Sequence, residues 1–190
     1  MSRWKADGRG RLERAALALY GERGFDRTTV AEIAARAGVT ERTFFRHFAD
    51  KREVLFPPEG SQHLQEILVK AVAAAPASLS PLDAVAVGLA AVGAPLQERR
   101  ALVHHRAAII AATPELRERE LIKLAAWSAA LSDPLQQRGL SDAAAHLTAE
   151  VAIAVFRIAF ARWVEDAGDH DFSRFIHESL DELKAVTAGT

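Results

Sequence analysis

Arg42 and Thr43 carry the side chains of this sequence that are best suited to reading the edges of DNA bases. A guanidinium can donate two parallel hydrogen bonds to O6 and N7 of guanine, and a threonine offers a hydroxyl and a methyl group. Both residues follow Thr40, whose hydroxyl can cap a short helix predicted over residues 41–48. The spacing predicts that the first turn of this helix enters the major groove and presents both side chains to the bases.

Another short helix is predicted just before it, over residues 30–37, and must position the helix over residues 41–48. Thr29 and Glu32 form a capping-box pattern, in which the hydroxyl accepts from the amide three residues on and the carboxylate reaches back. The helix ends at Gly38, a residue that suits a tight turn between two helices. Two short helices joined in this way are typical of a helix-turn-helix motif.

A longer helix precedes the motif and a shorter one follows it. The longer helix is predicted over residues 9–23 and ends at Gly24, which favours a left-handed C-terminal cap. The pattern from Asp50 to Glu53 resembles another capping box and predicts a helix over residues 51–56. These helices would complete a small head around the motif.

The head is predicted to end at Pro57 and Pro58, which remove two consecutive backbone donors. We therefore predict a DNA-binding domain over residues 1–56 and a second domain over residues 57–190. Strand-like alternation is missing and alanine is abundant, so the fold class is all-α, with the second domain a helical bundle. The helices predicted in it span 61–75, 82–93, 97–112, 115–137, 142–166 and 171–186.

The charge of the 190-residue chain is distributed unevenly. Residues 1–55 hold 12 basic and 8 acidic side chains, and residues 56–190 hold 12 and 17, for a net charge of −1. A basic head on an acidic body favours a DNA partner for the head alone. Cysteine is absent, which excludes disulfides, thiolate metal sites and cysteine nucleophiles.

Neither a membrane span nor a secretion signal is expected. No apolar run is predicted to reach the roughly 18 residues that cross a bilayer. The basic N-terminus is not followed by the apolar core of a signal peptide. We expect a cytoplasmic protein with no membrane partner.

Residues 9–56 resemble the DNA-binding head of the TetR family of bacterial transcriptional regulators. The resemblance rests on the pattern R-x-R-L-x-x-A-A-L-x-L-Y-x-E-R-G-F-x-x-T-T-V-x-E-I-A-x-x-A-G-V-T-x-x-T-F-F-R-H-F-x-D-K-x-x-V-L-F. The segment from Thr113 to Glu120 is similar, more weakly, to ligand domains of actinobacterial members. The resemblance implies a homodimeric regulator that binds a palindromic double-stranded DNA operator and is released by a small molecule. Most members of the family are repressors, so a repressor is expected.

The resemblance also implies roles for individual residues of the head. Arg42 would read a guanine, and Arg46 would reach the backbone or a base. The residues that would hold phosphates, or in two cases touch a thymine methyl, are Thr29, Thr40, Thr43, His47 and Lys51.

Two positions depart from the family pattern. Phe45 stands where the family often has a tyrosine, so this contact with DNA would be apolar. Glu41 opens the recognition helix and would repel phosphates unless it accepts a hydrogen bond from a cytosine amino group.

The resemblance implies a pocket for a small apolar or amphipathic effector inside the second domain. Its two tryptophans offer large flat surfaces with one donor each, and a histidine or an arginine could orient a polar group. The same residues could instead be ordinary core. The candidate lining is Leu102, His105, Arg106, Ile109, Leu121, Leu124, Trp127, Phe156, Phe160 and Trp163.

The last two predicted helices carry more apolar residues than one packed face needs. The helix over 142–166 is apolar on more than one side, which indicates burial on both. A two-fold four-helix interface would bury the surplus, and the family pairs its subunits in this way. The predicted interface is Ile153, Phe156, Phe160, Phe172, Phe175, Ile176 and Leu180.

No catalytic residue, metal site or cofactor is predicted. His104 and His105 are adjacent and point about 100° apart on a helix, and the acidic residues of 165–171 resemble a cation site only in composition. Two alternatives stay open beside a ligand-released repressor. One is a DNA-binding regulator without a small-molecule effector, controlled by a protein partner, which a solidly packed second domain would favour. The other is a helical-bundle enzyme, which the spacing does not support.

Overall fold

The structure, a computed structural model, describes residues 8–168 and 170–189, and over these residues it contains helices and no strand. The prediction of an all-α fold is confirmed. A single 3-10 turn, Glu53–Leu55, stands between the third and fourth α-helices. The α-helices are α1 Gly8–Arg23, α2 Val30–Arg36, α3 Glu41–His47, α4 Pro58–Ala74, α5 Pro81–Glu98, α6 Arg100–Ala112, α7 Pro114–Gln137, α8 Asp142–Glu165 and α9 Phe172–Ala188.

One compact unit consists of residues 8–61 together with Ala101–Arg119. Its core is formed by α1, α2, α3 and the 3-10 turn, to which α6 and the start of α7 add apolar side chains. Leu12, Ile33 and Phe44 are fully buried at the centre, and Ile109 and Leu116 belong to the same cluster. The helix-turn-helix therefore packs around one continuous apolar core.

The two short helices of this unit begin where their threonine caps predict. The Thr29 hydroxyl accepts from the Glu32 amide at 3.3 Å, and the Glu32 carboxylate accepts from the Thr29 amide at 2.9 Å, so the capping box is complete. The Thr40 hydroxyl accepts from the Thr43 amide at 3.2 Å. Between them, Gly38 adopts a φ of 67°, a left-handed conformation that glycine reaches without a steric penalty.

The second compact unit comprises Gln62–Arg100 and the residues from Glu120 onward. In it, α8 and α9 pack against each other and against α5. The approach is close at Gly93, where a Cβ atom would lie 2.8 Å from the Phe172 ring. An aromatic cluster forms the core, and its members are Trp127, Phe156, Phe160, Trp163 and Phe172.

Several predicted helix boundaries differ from the structure. The segment predicted as a helix over 51–56 forms only the 3-10 turn, and α4 begins at Pro58 rather than at residue 61. A proline is tolerated in the first turn of a helix because its missing N–H would have no partner there. Helix α5 passes through Pro95, although a stop at 93 was predicted, and Trp163 Nε1 holds its last turn by donating to Gln97 Oε1 at 3.1 Å.

The prediction that no apolar run reaches membrane-spanning length is wrong for α8. This helix is long enough, and an 18-residue window of it has a mean hydropathy of 1.5. Length and composition of this kind are also found in core helices of soluble proteins. Alanines account for much of the hydropathy, and one side of α8 packs on α5 and α9.

Candidate nucleic-acid interface

Helix α3 separates its side chains into a core face and an outer face. Phe44 and Phe48 point inward and are almost completely buried. Arg42, Phe45 and Arg46 lie on the exposed side. Residues four apart are neighbours on a helix surface, so Arg42 and Arg46 lie next to each other on this exposed side. The sequence prediction that α3 presents these side chains outward agrees with this arrangement.

The guanidinium groups of α3 are available for an external ligand. Within the described residues no ion pair involves Arg42, and the Arg46 guanidinium has only a 3.5 Å contact with His47 Nε2. Both line a shallow groove of about 630 Å³ together with Thr40, Thr43 and Phe45. Two arginines that are not neutralised on an exposed helix face can bind phosphates or guanines.

The predicted phosphate-binding threonines are already used as caps. Thr29 donates from its hydroxyl to Glu32 at 3.0 Å, and Arg23 pairs with the same carboxylate at 2.6 Å. The hydrogen bonds from the Thr29 amide and hydroxyl lower the pKa of Glu32. The hydroxyls of Thr40 and Thr43 lie 3.1 Å apart. Their methyl groups and the helix-end amides are what these threonines can still offer to DNA.

His47 and Lys51 are placed differently from the outer arginines. His47 is half-buried beside the first residue of α1, where a Cβ on Gly8 would lie 3.5 Å from its Nε2. The Lys51 ammonium donates to the carbonyls of Phe25 at 2.9 Å and Thr28 at 3.0 Å, and it lies 4.3 Å from the Phe25 ring. The structure therefore shows Lys51 engaged with the α1–α2 loop, and its predicted phosphate contact stays a prediction.

Two arginines to which the sequence analysis gave no such role hold the head together. Arg9 donates to Glu13 at 3.2 Å and to Glu59 at 2.7 Å, and its guanidinium lies 5.3 Å from the Phe48 ring. The hydrogen bond from Arg9 lowers the pKa of Glu59 to about 2. Such long-range pairings have no local sequence signal, because the partners are about fifty residues apart.

Arg106 is the second of these arginines, and it was predicted as a pocket residue. Its Nε donates to the Leu55 carbonyl at 2.7 Å, and its guanidinium lies 4.9 Å from the Phe56 ring. His105 lies against α1, where a Cβ on Gly21 would be 2.6 Å from its Nε2. Both side chains therefore belong to the compact unit that contains the helix-turn-helix.

The ten predicted pocket residues do not form one lining within either unit. Leu102, His105, Arg106 and Ile109 belong to the first unit, and the other six belong to the second. Ile109 is part of the head core, and Leu121 is half exposed. The remaining predicted pocket residues of the second unit are buried or half-buried, and they are Leu124, Trp127, Phe156, Phe160 and Trp163. The four aromatic rings among them contact one another.

Most residues of the predicted dimer interface are already buried within the chain, and the interface itself stays a prediction. Six of its seven residues are buried within the chain because the aromatic stripe of α8 and the apolar stripe of α9 pack on each other and on α5. They are Ile153, Phe156, Phe172, Phe175, Ile176 and Leu180, and the seventh, Phe160, is half-buried in the same cluster. The opposite stripe of α8 stays exposed, with Leu147 at 66% and Ile158 at 53%.

The histidines and acids weighed as an enzyme or metal site do not converge. Over residues 8–168 and 170–189, no group of three or more His, Asp or Glu side chains could hold a metal ion. Asp166 instead pairs with Arg100 at 3.3 Å and with His170 at 3.2 Å. Arg100 also donates to the Gly168 carbonyl at 2.8 Å, so this cluster closes the turn between α8 and α9.

The chain belongs to the TetR family of bacterial regulatory proteins, a family of DNA-binding regulators and not of enzymes. The family model described as "Bacterial regulatory proteins, tetR family" matches residues 13–56. The model described as "MftR C-terminal domain" matches residues 79–188, which is more than half of the chain.

Curated relatives include the HTH-type transcriptional regulator TcmR of Streptomyces glaucescens, 40% identical over 84 residues. That match covers 44% of this chain and 36% of TcmR. An uncharacterized HTH-type transcriptional regulator of Mycobacterium tuberculosis is 46% identical over 55 residues, 29% of each chain. The chain thus matches about a third of the length of these relatives.

Solved structures share the fold over nearly the whole chain. The SmeT–triclosan complex has a TM-score of 0.68 at 21% identity and covers 94% of this chain and 90% of its own. FadR from Bacillus subtilis in complex with stearoyl-CoA has a TM-score of 0.64 at 17% identity, with coverage of 90% and 95%. At these identities the likeness concerns the fold.

Proposed function

We propose that the protein is a homodimeric transcriptional repressor of the bacterial cytoplasm that binds a palindromic DNA operator and is released by a small apolar or amphipathic molecule. The observation that carries the proposal is the outer face of α3. It presents Arg42 and Arg46 on the exposed side of the second helix of a complete helix-turn-helix. A helix of this kind fits the major groove, where arginine discriminates guanine from the other bases.

We assign each proposed DNA contact from the groups of the side chain that are not already engaged within the protein. Arg42, at the first turn of α3, is our candidate for base readout. Arg46, one turn further, is our candidate for a phosphate or a second base. Thr29, Thr40 and Thr43 can add helix-end amides and methyl groups beside their capping roles.

A second copy of the chain is the proposed partner of the exposed stripe of α8. Leu147 and Ile158 are separated by eleven residues, three turns of helix, and Ala154 lies between them on the same side. An apolar seam of this spacing suits the helix–helix packing of a two-fold interface. A dimer would place two heads on the two halves of a palindrome.

The proposed effector would bind in the second unit. The Trp127 side chain is 1% exposed, and none of the described residues accepts a hydrogen bond from its Nε1. A buried donor without a partner is uncommon and suits a ligand that supplies an acceptor. SmeT is solved with triclosan and FadR with stearoyl-CoA, which supports an apolar class of effector by analogy only.

Control by a protein partner, without a small molecule, is the second candidate. The observation in its favour is the packing of Trp127 and Trp163, which are among the largest fully buried side chains. Measuring the operator affinity in the presence of apolar extracts of the producing cells separates the two candidates. An extract component of low mass that weakens binding supports the effector.

The DNA-binding proposal is tested by mobility shift on the DNA upstream of the protein's own gene. We expect sequence-specific binding by the native protein and a loss of roughly 10- to 100-fold with Arg42→Ala, as for one bidentate arginine–guanine contact. Arg99→Ala is the matched control, because Arg99 is an exposed arginine of the second unit. Equal effects of the two substitutions would contradict a specific role for α3.

A further inference from the structure

Phe45 is a large apolar side chain on the exposed side of α3, and its ring is 55% exposed. The ring is nearly perpendicular to that of Phe44, with 5.5 Å between the centroids, so part of it contacts the core while more than half of the side chain faces solvent. A phenyl ring has no hydrogen-bond donor and can contribute to binding only through apolar contact. Its surroundings show which part of DNA supplies that contact.

The side of Phe45 that faces the segment after α3 is unfavourable for phosphate. A shallow groove of about 520 Å³ there contains the carboxylates of Asp26, Asp50 and Glu115. The two cations in it are already engaged, Lys51 with backbone carbonyls and Arg52 with Asp50 at 2.8 Å. With three carboxylates and two cations, the groove has a net negative charge, which disfavours a phosphate at this side.

The other side of Phe45 belongs to the surface that carries the arginines. The ring lines the groove of Thr40, Arg42, Thr43 and Arg46. In the major groove, the apolar group at this level is the C5 methyl of thymine, and apolar side chains pack on it. Phe45 therefore stands between a region that repels the backbone and a region that faces the bases.

We propose that Phe45 is a specificity-determining residue that packs on the C5 methyl group of a thymine in each half of the operator. The proposal rests on the proposed function, because it requires α3 in the major groove. It predicts that the operator carries thymine, rather than cytosine, at one position beside the base pair that Arg42 reads.

The test removes single methyl groups from DNA. A duplex is first selected from a random library by the native full-length protein. Each thymine is then replaced by deoxyuridine, which deletes only the methyl group, and affinities are measured by fluorescence anisotropy. The proteins are the native chain, Phe45→Ala, and Phe45→Tyr, which keeps the ring.

We expect replacement of the contacted thymine in one half-site to weaken binding of the native protein and of Phe45→Tyr roughly three- to five-fold, as for burial of a single methyl group. The same replacement should change binding of Phe45→Ala less than about 1.5-fold, because the ring that senses the methyl is gone. Arg99→Ala should behave like the native protein.

The inference is overturned if deoxyuridine weakens DNA binding by the native protein and by Phe45→Ala equally, or weakens neither. The ring would then contact the sugar or the backbone. In that case the selected duplex still binds and the proposed function stands. If no duplex is selected from the library, the proposed function fails, and the inference fails with it.

Discussion

Helices α3 and α8 both bury one face in their own unit, and each leaves an exposed face on the other side. The outer face of α3 carries two arginines and the ring of Phe45, whereas the outer face of α8 is aliphatic, with Leu147 and Ile158. A basic face suits a polyanion that must be released, since phosphate contacts are reversible and weaken with salt. An aliphatic face suits a partner that stays, because its burial is insensitive to salt.

The largest effect should come from the inner face of α8. Trp163→Ala removes a fully buried indole from the aromatic cluster and should lower the free energy of unfolding by about 3–5 kcal/mol. Phe45→Ala, on the outer face of α3, should lower it by less than about 0.5 kcal/mol. Urea unfolding followed by circular dichroism measures both. Similar losses for the two aromatic residues would contradict the assignment of faces.

The next effect concerns the outer face of α8. Ile158→Asp places a charge in the apolar seam and should convert the dimer into monomers. Since two linked heads bind far more tightly than one, operator affinity should fall at least about 100-fold. Light scattering after size exclusion and anisotropy measure these changes. Val186→Asp is the control, because Val186 is exposed at the end of α9, and a dimer that survives Ile158→Asp would place the interface elsewhere.

Operator binding through α3 and dimerisation through α8 should differ in their dependence on salt. With about four phosphates contacted, raising the salt from 50 to 200 mM should weaken operator binding roughly 100-fold, from a slope of about −0.9 per phosphate. The dimer dissociation constant should change little over the same range. Arg46→Ala should reduce the slope by about two, which is about one for each subunit of the dimer, if Arg46 holds a phosphate, and an unchanged slope would assign it to a base.

The smallest effect concerns the pairing of Arg9 with Glu59. The hydrogen bond from Arg9 lowers the pKa of Glu59 to about 2, so folding favours its ionised form. Its contribution to stability is present above the ordinary carboxyl pKa and is lost as the pH falls toward 2. The melting temperature of the native protein should exceed that of Glu59→Gln at pH 7, and the gap should close in acid.

Glu66→Gln provides the control for this measurement, because it removes another exposed carboxylate, the one paired with Lys70. A gap between the native protein and Glu59→Gln that stays constant from pH 7 to 2 would contradict the role of ionised Glu59. The effect should also shrink in high salt, since the pair is exposed.

The sequence was informative where structure depends on neighbouring residues. Thr29 with Glu32, Thr40 and Gly38 are local signals, and α2 and α3 begin and end where those signals predict. The orientation of Phe44 and Arg42 then follows from the helical period. The candidate DNA-binding face was accessible to sequence reasoning for this reason.

Sequence reasoning was insufficient where the outcome depends on distant partners. Helix α8 has two apolar stripes, and periodicity alone cannot tell which one packs inside the chain, so the burial of the aromatic stripe was not predicted. The engagement of Lys51 with the Phe25 and Thr28 carbonyls was not predicted, because it depends on the path of a loop twenty-odd residues away. Pro95 predicted a helix end that tertiary packing overrides.

Helix α8 has an evolutionary consequence that follows from its two faces. Trp163 and Phe156 are constrained by the core, and Leu147 and Ile158 would be constrained by a second subunit, so few substitutions along the helix can be neutral. The outer side of α9, with exposed residues such as His177 and Asp181, carries no such double constraint. Among descendants of this chain, α8 should change slowly around its whole circumference, while the outer side of α9 should drift.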